Sequence, residues 1–288
     1  MPSKVELVKL LGVFVVAGYK IMPSINRMMI AINGLNRSIW IMDALKPLQE
    51  YDSIEKKYKK TEATPLKFES QLQLKDINFR YSHDSELIFK NYNLTIKKGE
   101  VIGVVGPSGS GKTTLMNILL GFLQPESGDY LIDDIKLDDE NKTSFYDKVG
   151  YVQQQVYLID GSVAENVAFG HGKKEINHEK LEKALKRANL WEMVAKLPKG
   201  VNELIGENGT KLSGGQRQRL GIARALYSES EILFFDEATS SLDTETELEV
   251  TEAIHKLSDG KLTIIIIAHR LSTLDQCDRI IKIDVNEQ

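Results

Sequence analysis

Three patterns of apolar and polar positions divide the chain. Residues 5–45 read as mostly helical: past Pro23, the residues Ile25, Met28, Met29, Ile32 and Leu35 form an apolar stripe at helical spacing. Pro23 predicts a kink. The helix is expected to stop just before Pro47, because proline lacks an N–H donor and restricts the residue before it. Leu10–Ala17 is an apolar run of eight residues. That is short of the roughly 20 needed to cross a bilayer, but it fits the end of a span. A helix of this length covers about 60 Å, about twice a bilayer core. One reading places part of it in membrane and part in cytosol. The other is an amphipathic helix packed on a soluble domain. Polar residues then predict a linker over 49–70.

The second pattern is strand-like alternation, from Leu72 to Tyr81 and from Tyr92 to Ile96. The third consists of short runs that are almost wholly apolar: Val101–Val105, Ile232–Phe235 and Thr263–Ala268. Strands buried on both faces of a parallel sheet look like this. Between them, residues 177–197 read as helical, with Leu181, Leu185, Ala188 and Leu197 on one side. Strands alternating with helices predict an α/β core.

Composition narrows the function classes. The 288 residues suffice for one large or two modest domains, and a net charge of −4 lacks the basic excess of a nucleic-acid binder. The cluster Lys56-Lys57-Tyr58-Lys59-Lys60 reads as a solvated helix end or linker, or as a flank attracted to anionic lipid. The one cysteine, Cys277, excludes an internal disulfide and fits a reducing compartment.

Chemistry enters at Gly106-Pro107-Ser108-Gly109-Ser110-Gly111-Lys112-Thr113, followed by Thr114. The string matches G-x-x-x-x-G-K-[ST], stands after a strand-like run, and opens a helix-like one with Leu115, Ile118, Leu119 and Phe122 in phase. Glycines let backbone N–H groups wrap phosphate oxygens, and the helix presents its positive end to the same anion. Lys112 is placed to reach the β- and γ-phosphates, and the Thr113 hydroxyl to bind Mg²⁺. Both later apolar strands also end in polar groups. Asp236 follows Phe235 as a carboxylate for Mg²⁺, and the adjacent Glu237 is placed to polarise a water attacking the γ-phosphate. His269 follows Ala268 and can hydrogen-bond the γ-phosphate.

A second glycine-rich helix start, Leu212-Ser213-Gly214-Gly215-Gln216, has the amides to grip phosphate. By average residue usage this pentapeptide arises by chance about 0.0004 times in such a chain. Two phosphate-gripping loops and one base suggest two chains sharing nucleotides.

Together these strings resemble the nucleotide-binding domain of an ATP-binding-cassette (ABC) transporter, over about residues 70–285. They are GPSGSGKT, LSGGQ, ILFFDE, Ser240-Ser241-Leu242-Asp243 and His269. The resemblance implies a P-loop core with an antiparallel β-subdomain and a helical subdomain at about 155–228, within an ABC domain at 71–288. It implies two copies pairing head-to-tail around two ATP molecules, with Ser213 and Gly215 completing the partner's site and Asp243 crossing the interface. Tyr81 matches the aromatic that stacks on adenine; read by itself it is also a plain strand tyrosine. In Tyr151-Val-Gln-Gln-Gln-Val-Tyr157, Gln154 aligns with the glutamine that reaches Mg²⁺, and Gln153 replaces the family's usual proline.

Residues 205–211 resemble the exporter-type segment before the signature, with Asn208 in place of arginine and Glu207 facing the membrane domain. Residues 1–48 resemble the end of the last transmembrane helix and its cytosolic extension. Residues 19–27 and 157–170 are most similar to bacterial flippases for lipid-linked oligosaccharides. These likenesses imply an ATPase at the cytoplasmic face of the inner membrane, partnered by a transmembrane domain and, through it, a lipid-linked substrate, with no nucleic acid. The chain reads as the C-terminal piece of a larger half-transporter or as a truncated product. The alternatives are a multidrug, lipid or peptide exporter ATPase, a soluble ABC ATPase acting on DNA or ribosomes, and an ATP-binding remnant.

Overall fold

The computed structural model describes residues 4–60, 65–82, 84–237, 243–258, 260–268 and 271–283. It divides into two compact units, Met1–Glu62 and Ala63–Gln288.

The first unit is one helix, α1 (Lys4–Lys60). Within Val8–Asp43 an 18-residue stretch reaches a mean hydropathy of 1.5, and none of that stretch is buried. Among the described residues it is the one helix long and apolar enough to cross a membrane. The expected stop before Pro47 is not observed. The helix runs through both Pro23 and Pro47, so residues 49–60 of the expected linker are helical. An interior proline costs about 3 kcal/mol and kinks or breaks a helix, and here the flanks favour continuing it. Residues 48–60 are rich in the helix formers Leu, Gln, Glu and Lys.

The second unit holds two sheets. Strands β1 (Gln71–Phe79), β2 (Phe89–Lys97), β4 (Ser127–Ile132) and β5 (Ile135–Lys136) form an antiparallel sheet in the order β2-β1-β4-β5. Strands β3 (Val101–Val105), β6 (Val149–Val152), β7 (Ile232–Asp236), β8 (Thr263–Ile267) and β9 (Arg279–Lys282) form a parallel sheet in the order β6-β7-β8-β3-β9. Helix α2 (Lys112–Leu119) follows β3, and the short α3 (Lys142–Tyr146) precedes β6. Between β6 and β7 come α4 (Val163–Val167), α5 (His178–Arg187), α6 (Trp191–Ala195) and α7 (Gly214–Tyr227); α8 (Thr244–His255) precedes β8.

The apolar strands are buried on both faces, as their lack of alternation predicts. In β7, Leu233 and Phe235 pack into a core with α4, α5, α7 and α8, while Ile232 and Phe234 pack into a second core with α2 and the antiparallel sheet. Phe234 and Phe235 are each fully buried. Such a side chain contributes about 2–3 kcal/mol in apolar burial. The helix expected over 177–197 is instead two, α5 and α6, broken at Asn189, which takes a left-handed φ of 55°. Asparagine tolerates that conformation better than most residues, and hydrophobic spacing carries no sign of it.

Candidate active site

All five strands of the second sheet run parallel, so their carboxyl ends emerge along one edge. That edge is where α/β sheets place ligands. It collects the loop after β3, Gln153 and Gln154 after β6, Asp236 and Glu237 at β7, and the segment after β8.

The loop after β3 is shaped by its glycines. Gly109 and Gly111 have φ of 81° and 96°, a region costly for residues with a Cβ. A Cβ on Gly106 would collide with the Ile283 carbonyl and the Ser110 hydroxyl. Gly111 is the N-cap of α2 and supplies no side-chain cap, so amides of the first turn remain for a ligand. Lys112 is buried, and its Nζ donates to the carbonyls of Gly106 and Pro107, both at 2.9 Å. Ser110 is also buried, and its Oγ has no hydrogen-bond partner among the described residues. Pro107, Ser108 and Thr113 are exposed. A glycine cradle, an uncapped helix start and an orphaned buried hydroxyl together fit a polyphosphate.

Tyr81 lies just past β1. The residue is 62% exposed; its ring meets the Phe79 ring edge-on at 5.2 Å, and its hydroxyl shares a 3.1 Å hydrogen bond with Thr114 Oγ1. The phenol is thus tied to the P-loop helix while the ring stays open to a flat partner, unlike a packed strand tyrosine.

At β7, the Asp236 carboxylate accepts a 3.0 Å hydrogen bond from Tyr151 Oη on the neighbouring strand. Burial pushes the Asp236 pKa up, the Tyr151 bond pulls it back, and the Glu237 charge adds to the upward shift. Tyr151 itself is raised, first by burial and then by the Asp236 charge. Glu237 adopts a left-handed φ of 49°, and its N–H donates to the Ile267 carbonyl at 3.0 Å. A non-glycine residue held there costs of order 1 kcal/mol or more, and such strain concentrates at functional sites. His269 lies outside the described residues. Gln154 is exposed beyond the end of β6. The exposed Thr113 hydroxyl, the Asp236 carboxylate and the Gln154 amide are hard oxygen donors, the set Mg²⁺ takes.

The signature turn opens α7. Ser213 is the N-cap: its Oγ accepts from Gln216 N at 3.3 Å, and Gln216 Oε1 accepts from Ser213 N at 2.9 Å, a complete capping box. The Gly214 and Gly215 amides fall in the first turn. Asp243 caps α8, accepting from Thr246 N at 3.1 Å and from Thr246 Oγ1 at 2.8 Å. Among the described residues, Ser213 makes no hydrogen bond to the P-loop. Glu207 is exposed on a short turn, and Asn208, standing where arginine was expected, has φ of 50°. Asparagine suits that left-handed position.

Two contacts escaped the sequence reading. One is Tyr151 to Asp236, and the other is Gln218 Nε2 donating to the Gln153 carbonyl at 3.0 Å. Both span strands or helices far apart in sequence, and no residue spacing signals them.

Comparison with known proteins agrees with this geometry. The ABC transporter family model matches residues 89–240. The chain is 44% identical over 214 residues to the ATP-dependent lipid A-core flippase of Ralstonia nicotianae, covering 74% of this chain and 36% of that protein. It is 44% identical over 219 residues to the protein of the same name from Pseudoalteromonas translucida, covering 76% and 37%. A bacterial Atm1-family ABC exporter solved with ATP bound superposes with a TM-score of 0.68 at 34% identity, covering 78% of this chain and 39% of that one. The chain therefore spans little more than a third of these relatives. These two relatives are named for lipid A-core, and the oligosaccharide-flippase branch is not shown. The chain belongs to the ABC transporter family, and its antiparallel and parallel sheets are those of that family's ATP-binding domain.

Proposed function

We propose that this chain hydrolyses ATP to drive an exporter or flippase, and that the cargo is a lipid-linked oligosaccharide or another lipid-linked substrate. The observation that carries the reading is the convergence of the P-loop, Asp236, Glu237 and Gln154 along one sheet edge. Relatives named as lipid A-core flippases support a lipid cargo. The candidate membrane span Val8–Asp43 supports a site of action at the cytoplasmic face of the inner membrane.

The residues divide the work as follows. The P-loop amides and Lys112 bind the phosphates, and Tyr81 offers its open ring to adenine. Thr113, Asp236 and Gln154 would hold Mg²⁺, which supplies charge neutralisation at the β- and γ-phosphate oxygens. Glu237 orients the attacking water and accepts its proton. Ser213 with the Gly214 and Gly215 amides closes over the γ-phosphate of a second copy, with Gln216 holding the turn and Asp243 crossing the interface. His269 contacts the γ-phosphate. With few covalent steps to promote, catalysis is positioning plus electrostatics. Opening after hydrolysis resets a transmembrane domain that touches Glu207.

The test is ATPase activity in membranes carrying the protein, with Glu237→Gln as the blank. Lipid-linked oligosaccharide, lipid A-core and amphipathic drugs are added separately. Stimulation by the oligosaccharide lipid alone supports the proposed cargo. Stimulation by lipid A-core or drugs alone replaces it with theirs.

A further inference from the structure

Tyr151 stands on β6 directly beside Phe234 of β7, and Asp236 lies two residues further along β7 on the same face. From that diagonal the phenol reaches Asp236 Oδ2 at 3.0 Å. The phenol and the backbone after it make several contacts. Its ring packs edge-on to Phe122 at 6.4 Å. The backbone just past it is pinned by the buried Gln218, whose Nε2 bonds the Gln153 carbonyl at 3.0 Å. Val156 then rests on α7 at Gly221, where an added Cβ would stand 2.7 Å from its Cγ2.

We propose that Tyr151 is a positioning residue for the Asp236 carboxylate, fixing its orientation for the divalent cation that accompanies the nucleotide. A carboxylate at a strand end rotates about two side-chain torsions. One hydrogen bond to Oδ2 from a donor on the neighbouring strand removes that freedom and presents the group in one plane. Preorganised ligands bind more tightly because less ordering remains to be done. Gln154 is three residues past Tyr151 on the same backbone. The end of β6 therefore acts on the cation twice, directly through Gln154 and indirectly through Asp236. The inference rests on Asp236 being the metal carboxylate, which the control below tests separately.

The experiment uses the full chain in detergent, with Mn²⁺ as the probe. Bound Mn²⁺ is followed by electron paramagnetic resonance in the presence of a non-hydrolysable ATP analogue, alongside ATPase as a function of Mg²⁺. Tyr151→Phe is expected to raise the Mn²⁺ dissociation constant and the half-saturating Mg²⁺ about three- to tenfold, within the range of one ordinary hydrogen bond's net contribution. Nucleotide affinity in EDTA, the thermal midpoint and the turnover at saturating Mg²⁺ are expected to stay near wild type. Asp236→Asn should weaken Mn²⁺ binding outright, and adding Tyr151→Phe to it should change nothing further. Tyr151→Leu should match Tyr151→Phe in Mn²⁺ affinity even where lost packing lowers its stability. If Tyr151→Phe binds Mn²⁺ like wild type while Asp236→Asn does not, the positioning role is wrong and the metal carboxylate stands. If Asp236→Asn also binds normally, both are wrong. An effect in Tyr151→Leu without one in Tyr151→Phe reduces Tyr151 to packing.

Discussion

Gly215 of the signature turn lies against Thr246 of α8 so closely that a Cβ on Gly215 would overlap the Thr246 methyl group. The Thr246 hydroxyl meanwhile bonds Asp243 Oδ1 at 2.8 Å. One threonine thus locks the start of the signature helix to the cap of α8. Within one chain, the two segments assigned to the dimer interface are packed as a unit.

Gly215→Ala should therefore destabilise the fold by about 1–3 kcal/mol through overpacking, despite alanine's better helix propensity. Thr246→Ser removes the methyl group and keeps the hydroxyl. The double variant Gly215→Ala/Thr246→Ser should recover most of the lost stability and ATPase activity. Thermal melts and steady-state ATPase on the single and double variants check this. Equal defects in both would show that the Thr246 methyl is not the obstacle.

The cap of α4 gives a pH-dependent prediction. Glu165 accepts from Ser162 N and Ser162 Oγ at 2.9 and 2.8 Å and pairs with Lys173 at 3.0 Å. The Ser162 backbone bond, then the bonds from Lys173 and the Ser162 hydroxyl, hold its pKa down at about 2. Because the folded value lies below the unfolded one, the carboxylate stabilises the fold above the ordinary range near 4.3, and that contribution is lost as pH falls toward about 2. Glu165→Gln should cost about 1 kcal/mol near neutrality, the usual worth of a cap. The gap to wild type should stay constant from pH 8 to 5 and close below pH 4. Urea unfolding followed through Trp191, with Trp40→Phe, reads it out. A gap that persists at low pH would place the effect in shape, not charge.

Glu237→Gln keeps the side chain's size and the same backbone conformation, so it should fold and bind ATP within a few-fold of wild type. Hydrolysis should fall about 10²- to 10⁴-fold, the range for losing a positioned general base. Single-turnover measurements with radiolabelled ATP distinguish this from slow product release. Normal turnover would remove Glu237 as the base.

Most of the site's contents were legible because their chemistry is local in sequence. A P-loop needs its glycines, lysine and threonine within eight consecutive residues, and the capping box at Ser213 and Gln216 spans a single helical turn. The doubly buried strands were equally plain, since Ile232–Phe235 has no polar face to offer solvent. What stayed hidden is long-range or depends on competition. Tyr151 and Asp236 are 85 positions apart, and Gln153 and Gln218 are 65 apart. Only the parallel sheet and α7 bring them together. At Pro47 a local breaker loses to favourable flanks. At Asn189 a left-handed residue breaks a helix that hydrophobic spacing reads as continuous.

Two copies are expected to share each nucleotide, P-loop against signature turn. Cross-linking tests this most directly, because Cys277 is the one native cysteine. In a Cys277→Ser, Glu237→Gln background, Ser108→Cys and Ser213→Cys place one thiol on each exposed turn. With MgATP and a short bifunctional reagent, a product at twice 32.4 kDa that requires nucleotide and both cysteines is expected. A chain that binds ATP yet stays monomeric, or cross-links equally without nucleotide, would contradict it.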